Sequence, residues 1–309
     1  MGDAERTDDF LQDQLPFKTN AFKIIQTMVD WCNTTPGSKH FVDEILHSIF
    51  FLGKINEVPF SPQEIIGNEE IVEALKMKYP RPFLFYESQL PKRSPFSCVL
   101  DMIVLQKRPE NEDQIKQSLQ KLIEPLNPRF LVSSTICVSH TNTQNSVRHY
   151  GVSMSTTGQR PGKIVIAASC FSAWDDYVAG AVMTYYPVKK KKEYFDGTFN
   201  LPTSVKCEAF NLRQGYPIHP CKSCANLFGL ETQETQVWPY GNCAEPESLS
   251  NLLKKEVDVK SQSRPTSNTV TPMNREKARK SVEVVLKFEL KKKPIINWNG
   301  EFYNARSLT

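Results

Sequence analysis

The strongest constraint on the fold comes from one segment, HPCKSCANLFGLETQETQVWPYGNCAEPESLSNLL, which places three cysteines and one glutamate at the starts of two predicted helices. Cys221 and Cys224 are three residues apart, so they share one face if the segment opens a helix. Cys243 begins the second helix, where Asn242 is the predicted cap and Pro246 is tolerated only because it lies near the start. Helix dipoles favour thiolates and carboxylates at these N-termini. The segment therefore predicts a metal site.

The ligand set predicts Zn²⁺ in a catalytic site. Three sulfur ligands leave one position of a tetrahedral zinc ion for water, whereas structural zinc sites are closed by four protein ligands. Glu245 lies two residues after Cys243, so its carboxylate is placed to move a proton. We therefore predict Cys221, Cys224 and Cys243 as metal ligands and Glu245 as the catalytic residue.

Two other interpretations of these cysteines stay open. A closed structural site would take His219 or Cys207 as its fourth ligand. A redox role for Cys221 and Cys224 is typical of a C-x-x-C pair that follows a buried strand, which this pair does not directly do. Four further cysteines lie in apolar stretches, which predicts ordinary buried thiols: Cys32, Cys98, Cys137 and Cys170.

The motifs HPCKSCANLF and GNCAEPESLSNLL resemble the motif helices of the cytidine deaminase-like superfamily, in the reverse of its usual order. The resemblance covers roughly residues 148–253 and implies a deaminase-like central sheet. It implies a Zn²⁺ cofactor held by Cys221, Cys224 and Cys243, with Glu245 as the proton shuttle. The implied reaction is hydrolysis of an exocyclic amine on a nucleobase of the cytosine type, free or within nucleic acid.

Side chains just before Cys243 are candidates for substrate contact. Trp238 and Tyr240 offer aromatic faces on which a nucleobase could stack, and Asn242 offers an amide. The alternative is that these aromatic residues anchor the loop. The expected ligands are a nucleoside, a nucleotide or a single-stranded nucleic acid.

The apolar spacing predicts an α/β fold preceded by a small helical domain. The helical region is predicted over residues 1–79, and an α/β domain with a central sheet and flanking helices over residues 80–309, which the resemblance implies is deaminase-like. The polar stretch 257–278 is predicted to be a flexible insertion. The predicted strands are RPFLFYE, FSCVLDMIVLQKR, RFLVSSTICVSH, RHYGVSMST, GKIVIAASCF, TQVW and SVEVVLKFEL. The predicted later helices are ENEDQIKQSLQKLIEPL and SAWDDYVAGAVMTYYP, and Ser172 is the predicted N-cap of the second.

Composition excludes several classes of protein. No apolar run is long enough to cross a membrane and the N-terminus lacks a secretory pattern, so we expect a cytoplasmic or nuclear protein without a membrane partner. The net charge of +4 is too small to indicate nucleic-acid binding by itself. The lysine runs 189–192 and 291–293 fit solvated turns or a phosphate-contacting patch. The sequence contains neither a G-x-S-x-G motif nor a phosphate-binding glycine loop, which argues against a serine hydrolase and against an NTPase.

Three functional hypotheses follow from the sequence, and the third is nucleic-acid binding without chemistry through Lys189 to Lys192. The leading one is a zinc-dependent hydrolytic deaminase with a cytosine-type substrate. The competing one is a non-catalytic, zinc-stabilised interaction module whose N-terminal helical region binds a protein partner.

Overall fold

The first part of the chain is built from helices. The computed structural model describes residues 2–144 and 146–305. Helices were predicted between Thr19 and Tyr79, and this prediction is confirmed. The helices up to residue 123 are α1 (Gly2–Thr34), α2 (Lys39–Ile55), α3 (Pro62–Ile66), α4 (Glu69–Lys78), α5 (Pro80–Phe85), α6 (Pro95–Lys107) and α7 (Glu112–Ile123).

Two predicted strands in this part are helices, so those predictions were wrong. RPFLFYE lies mostly in α5, and FSCVLDMIVLQKR lies mostly in α6. Helix α6 begins with Pro95 and buries both sides of its first turns, from Phe96 to Leu100. A continuous apolar run is typical of any buried element, so it does not separate a buried helix from a buried strand. Proline in the first turn favours the helix.

One small antiparallel sheet lies at the centre of the site-bearing part. Its strands are β1 (Thr135–Thr141), β2 (His149–Val152), β3 (Val205–Asn211) and β4 (Pro217–Ile218), in the order β2-β1-β3-β4. Ile136 on β1 faces Val152 on β2 and Phe210 on β3. Strand character in RFLVSSTICVSH and RHYGVSMST is confirmed. Because helices account for 52% of the chain and strands form this sheet, the mixed helix-and-sheet class is confirmed.

The later helices correct further predictions. GKIVIAASCF was predicted as a strand but lies in α8, where nearly every residue is buried. The next helix is capped by Asp175, whose side chain accepts a hydrogen bond from the Tyr177 amide, and not by Ser172. TQVW was predicted as a short strand but has no regular secondary structure. These helices are α8 (Gln159–Ser172), α9 (Asp176–Tyr185), α10 (Lys222–Phe228), α11 (Glu245–Lys255), α12 (Val257–Gln262) and α13 (Pro272–Leu290).

The predictions of a flexible insertion and of a last strand were both wrong, because α12 and α13 occupy these segments. The stretch 257–278 contains α12 and the beginning of α13, so it is ordered. Thr271 caps α13 by accepting a hydrogen bond from the Asn274 amide, and Pro272 occupies the first turn. The buried residues recur every four positions, at Ala278, Val282 and Leu286. The alternation in SVEVVLKFEL was misleading because the other apolar side chains of this stretch include the exposed Val284 and Phe288.

The helical region and the sheet share one buried core. A single cluster of buried apolar residues extends from Phe17 to Ile296 and includes side chains of α2, α6 and β1. The domain boundary near residue 79 falls between α4 and α5 and stays a prediction. Within residues 2–144 and 146–305, no helix combines the length and the apolar character that crossing a membrane requires.

A buried polar cluster joins helix α2 to the C-terminal segment of the chain. The Tyr303 hydroxyl donates a 2.6 Å hydrogen bond to Asp43 Oδ2, and the Tyr303 ring stacks on His47 with centroids 3.8 Å apart. Burial lowers the pKa of His47 to about 3. Burial also raises the pKa of Asp43 to about 6, opposed by the hydrogen bond from Tyr303. Both side chains are therefore largely uncharged in the fold at mildly acidic pH.

This cluster predicts acid sensitivity through His47. In the unfolded chain His47 titrates near 6.5, so the stability that depends on its neutral form is complete above that pH and is lost as pH falls towards 3. Asp43 acts in the opposite direction, because its folded pKa is raised and acid relieves the cost of its charge. Between pH 6 and 4, the unfolding free energy of wild type should fall more steeply than that of His47→Gln, by up to about 1.4 kcal/mol per pH unit.

Urea titrations at several pH values measure these slopes independently of the absolute stability of each variant. Asp43→Asn is the matched variant, and it should steepen the acid loss because it removes the opposing group. Equal slopes in wild type and His47→Gln would contradict the account.

Candidate metal centre

Three cysteine thiols converge as the sequence predicted. The sulfur atoms of Cys221, Cys224 and Cys243 all lie within 4.8 Å of one another. The Cys221 and Cys243 sulfurs are 3.4 Å apart, and all three cysteines are free thiols. Cys224 is buried, whereas Cys221 and Cys243 are partly exposed. Among the residues that the structure describes, this is the one group of cysteine, histidine or acidic side chains arranged to hold a metal ion.

Helix α10 supplies the first two thiols. Cys221 is its N-cap and has an extended backbone, so Pro220 lies outside the helix. Backbone N–H groups of Ser223 and Cys224, at the start of α10, help to lower the pKa of the Cys221 thiol. The loop that follows is held against the start of the helix, because the Ser223 hydroxyl donates to the Trp238 carbonyl at 2.7 Å. This hydrogen bond brings the loop back towards the first two thiols.

Helix α11 supplies the glutamate and begins directly after the third thiol. Its N-cap is Ala244, so the prediction that Asn242 caps this helix was wrong. The Asn242 carbonyl instead accepts a hydrogen bond from the Met154 amide at 2.9 Å. Glu245 is the first residue of the helix, and the N–H groups of Ala244 and Glu245 act to lower the pKa of its carboxyl group.

Three side chains that the sequence did not single out hold α11 against the sheet. Glu247 accepts a 2.8 Å hydrogen bond from the Val152 amide. Ser248 donates to Ser139 Oγ at 2.7 Å, and its hydroxyl also lies 2.9 Å from the His149 carbonyl. Asn251 donates to the Tyr150 carbonyl at 2.9 Å. Strands β1 and β2 therefore fix the start of the helix that follows Cys243.

Gly151 permits this close packing. A Cβ atom at residue 151 would lie 2.2 Å from the Ser248 nitrogen and 2.6 Å from the Ala244 oxygen. Both neighbours are backbone atoms, so a side-chain rotation does not relieve the clash. A glycine within a strand often marks such a close backbone approach, and this was the sequence signal for the contact.

When no cation is bound, the three thiols differ in pKa. Hydrogen bonds from Cys224 and Cys243, followed by backbone N–H groups, hold the pKa of Cys221 far below its usual range. Hydrogen bonding to Cys221 and burial raise the pKa of Cys224 well above its usual range, and the pKa of Cys243 is raised as well. The protein alone therefore stabilises one thiolate, and a bound cation would favour all three.

Glu245 lies beside this cluster. Glu245 is 4% exposed, and the Cys224 thiol acts to lower the pKa of its carboxyl group. Burial, together with the nearby Cys221 thiolate, raises the pKa of Glu245 to about 7, against the hydrogen bonds that it accepts from backbone amides. The carboxyl group is thus next to the sulfurs without belonging to the group of three.

A pocket gives access to the cluster. Its volume is about 290 Å³, close to the lower end of the ~300–1,000 Å³ typical of small-molecule sites. Cys221, Cys243 and Glu245 line it together with Trp238 and Asn242. Trp238 is half-exposed at 51%, so its ring is accessible from this side. The structure therefore places two of the three predicted substrate-contacting residues in the pocket wall.

The third predicted substrate-contacting residue, Tyr240, has a different setting. Its side chain is buried and its ring stacks on Tyr185, with centroids 4.1 Å apart and planes 7° from parallel. Its hydroxyl accepts a 2.8 Å hydrogen bond from Asn226 on α10. Tyr240 therefore supports the loop that leads to Cys243, which is the anchoring role named as the alternative.

The two alternative ligands do not join the thiols. His219 lies in the pocket wall, but neither of its ring nitrogens belongs to the group of three. Cys207 lies on β3, with its sulfur 3.4 Å from that of Cys137 on β1. The structure thus gives no fourth protein ligand from the residues considered for a closed site.

The donor set suits a soft or borderline metal ion. Thiolates bind Zn²⁺, Cu(I) and iron, whereas Mg²⁺ and Ca²⁺ prefer oxygen ligands. The cluster of Cys221, Cys224 and Cys243 could therefore hold a metal ion, and the structure does not define which one. Comparison of the chain with protein-family models, with curated proteins and with solved structures finds no match.

Proposed function

We propose that this protein is a zinc-dependent deaminase of the cytidine deaminase-like type, which hydrolyses an exocyclic amine on a cytosine-type nucleobase. One observation carries the proposal: Cys221, Cys243 and Glu245 line the same pocket, so the candidate ligands and the acid/base group face a common space. The reversed order of the motifs is compatible with this arrangement, because metal binding depends on the positions of the ligands and not on their order along the chain.

The cysteines fit zinc in an enzyme. Cys221, Cys224 and Cys243 would hold the ion, and the described residues offer no fourth ligand of the cysteine, histidine or carboxylate type in this group. When bound, zinc supplies a Lewis acid that lowers the pKa of water towards neutrality.

The residues of the chain would carry the proton. Glu245 would accept a proton from the attacking water and deliver it to the leaving amine, so that the ring gains an oxo group and ammonia departs. Trp238, exposed in the pocket wall, would stack on the base. Asn242, in the same wall, would hydrogen bond to its edge.

The proposal is tested by incubating zinc-loaded protein with cytosine, cytidine, CMP, a cytosine-containing single-stranded oligonucleotide and adenosine. Ammonia release and the amino-to-oxo product are followed by a coupled assay and by mass spectrometry. Activity on a cytosine compound should disappear after chelation and return on addition of zinc. Ammonia release no greater than that of chelated protein, for every compound, would contradict the proposal and leave the zinc-stabilised interaction module as the better account.

A further inference from the structure

A second, larger cleft adjoins the cysteine pocket. Its volume is about 750 Å³, compared with about 290 Å³ for the pocket. The two share part of their walls, including Ser134, Ser153, Trp238 and Asn242. A ligand whose reacting group lies at the cysteines can therefore extend past Trp238 into the cleft.

The charges around this cleft favour an anionic ligand. Its described lining residues include Arg129, Lys163 and Lys189 but no aspartate or glutamate. The Lys189 ammonium group donates a hydrogen bond to the Val237 carbonyl. Because this carbonyl is neutral, the contact does not neutralise the charge of Lys189. Glu289 is 3.7 Å from Lys163 Nζ but is also paired with Lys292 at 2.6 Å, so one carboxylate serves two ammonium groups. Lys163 and Lys189 therefore supply positive charge to the cleft.

Neutral groups in the wall add to this preference. Helix α8 begins at the cleft, where Gly158, Gln159 and Gly162 form part of the lining and no side chain caps the first turn. Its N–H groups contribute partial positive charge at the wall. Ser155 and Thr156 also line the cleft, with their hydroxyls donating to Ser94 Oγ at 3.4 Å and to the Gly158 carbonyl at 3.2 Å. Two lysines and the start of α8 therefore line part of this space, beside aromatic side chains such as Tyr185 and Tyr240, and a free base at the cysteines would leave it empty.

We propose that this cleft binds the phosphate-bearing part of the substrate, so that the base to be deaminated belongs to a nucleotide or to single-stranded nucleic acid and not to a free nucleoside. The reaction rests on the deaminase function proposed above, whereas the binding does not. Lys163 and Lys189 would contact phosphate, and Trp238 would separate the base at the cysteines from the sugar-phosphate in the cleft.

The test is fluorescence anisotropy with a fluorescein-labelled, cytosine-containing single-stranded oligonucleotide and zinc-loaded protein. The double variant Lys163→Ala/Lys189→Ala should bind about tenfold or more weakly, and its slope of log affinity against log salt should fall by roughly one to two. The matched control, Lys206→Ala/Lys280→Ala, also removes two exposed lysines, which lie outside the cleft lining. It should stay within about twofold of wild type. Circular dichroism and zinc content establish that each variant is folded.

Competition identifies the source of the phosphate. Displacement of the probe by CMP but not by cytidine supports a nucleotide substrate, and displacement by unlabelled oligonucleotide alone supports a polynucleotide. The proposal is overturned if cytidine competes as well as CMP and oligonucleotide, if the cleft variant binds like wild type, or if neither the oligonucleotide nor CMP binds. Phosphate-dependent binding without deamination would reject only the enzymatic function, whereas deamination of cytidine without phosphate dependence would reject only this inference.

Discussion

Replacing Glu245 with glutamine should lower kcat for the proposed deamination by a factor of about 10² to 10⁴ while leaving the bound metal in place. Glutamine keeps the size of the side chain but cannot carry the proton between water and amine. Its neighbours, the backbone amides at the start of α11 and the Cys224 thiol, stay as they are. The measurement is steady-state turnover beside zinc content, so that loss of chemistry is separated from loss of the ion.

The matched control is Glu234→Gln, which removes an exposed carboxylate from the loop between α10 and α11. This variant should keep wild-type turnover. Turnover of Glu245→Gln within about tenfold of wild type would remove Glu245 from the mechanism. Loss of zinc in Glu245→Gln would instead indicate that the carboxylate supports the metal site.

Replacing Gly151 with alanine should damage the fold and the metal site together. The added methyl group would overlap the backbone of residues 244 and 248, so β2 and the start of α11 must separate. Forced overpacking of this kind costs typically about 1–3 kcal/mol of unfolding free energy. Because the displaced helix start lies directly after Cys243 and carries Glu245, zinc affinity should also fall by about tenfold or more.

Urea unfolding of metal-free protein and zinc competition with a chromophoric chelator measure the two effects separately. Gly162→Ala is the control, because a Cβ at that position in α8 would meet nothing closer than the Thr156 hydroxyl at 3.6 Å. Alanine there should change stability by no more than about 1 kcal/mol, in the stabilising direction. Wild-type stability and zinc affinity in Gly151→Ala would show that the contact is not as close as the structure has it.

The sequence predicted the convergence of the three thiols because the evidence was local. Cys221 and Cys224 share one turn, and Pro246 shows that a second helix begins just after Cys243. Short-range spacing and proline chemistry are enough for such a prediction. The prediction that Asn242 caps α11 was wrong because the N-cap is Ala244, two residues later, and Glu245 is the first residue of the helix.

The strand predictions failed where burial is complete. In α6 and α8, apolar residues surround the helix, so the periodicity that distinguishes a helix from a strand is lost. The support of α11 was equally hidden, because the contacts of Gly151 and Ser248 join residues about a hundred positions apart. Long-range contacts of this kind depend on how the sheet and the helix pack, which local spacing does not encode.

The most direct measurement is zinc per chain, by plasma mass spectrometry, in purified wild type beside Cys221→Ser, Cys224→Ser and Cys243→Ser. Cys207→Ser is the control, because the Cys207 thiol lies beside that of Cys137, outside the cluster. We predict about one zinc ion in wild type and in the control, and loss of the ion in each of the three variants. Retention of zinc by Cys243→Ser, or its loss from Cys207→Ser, would contradict the metal centre described here.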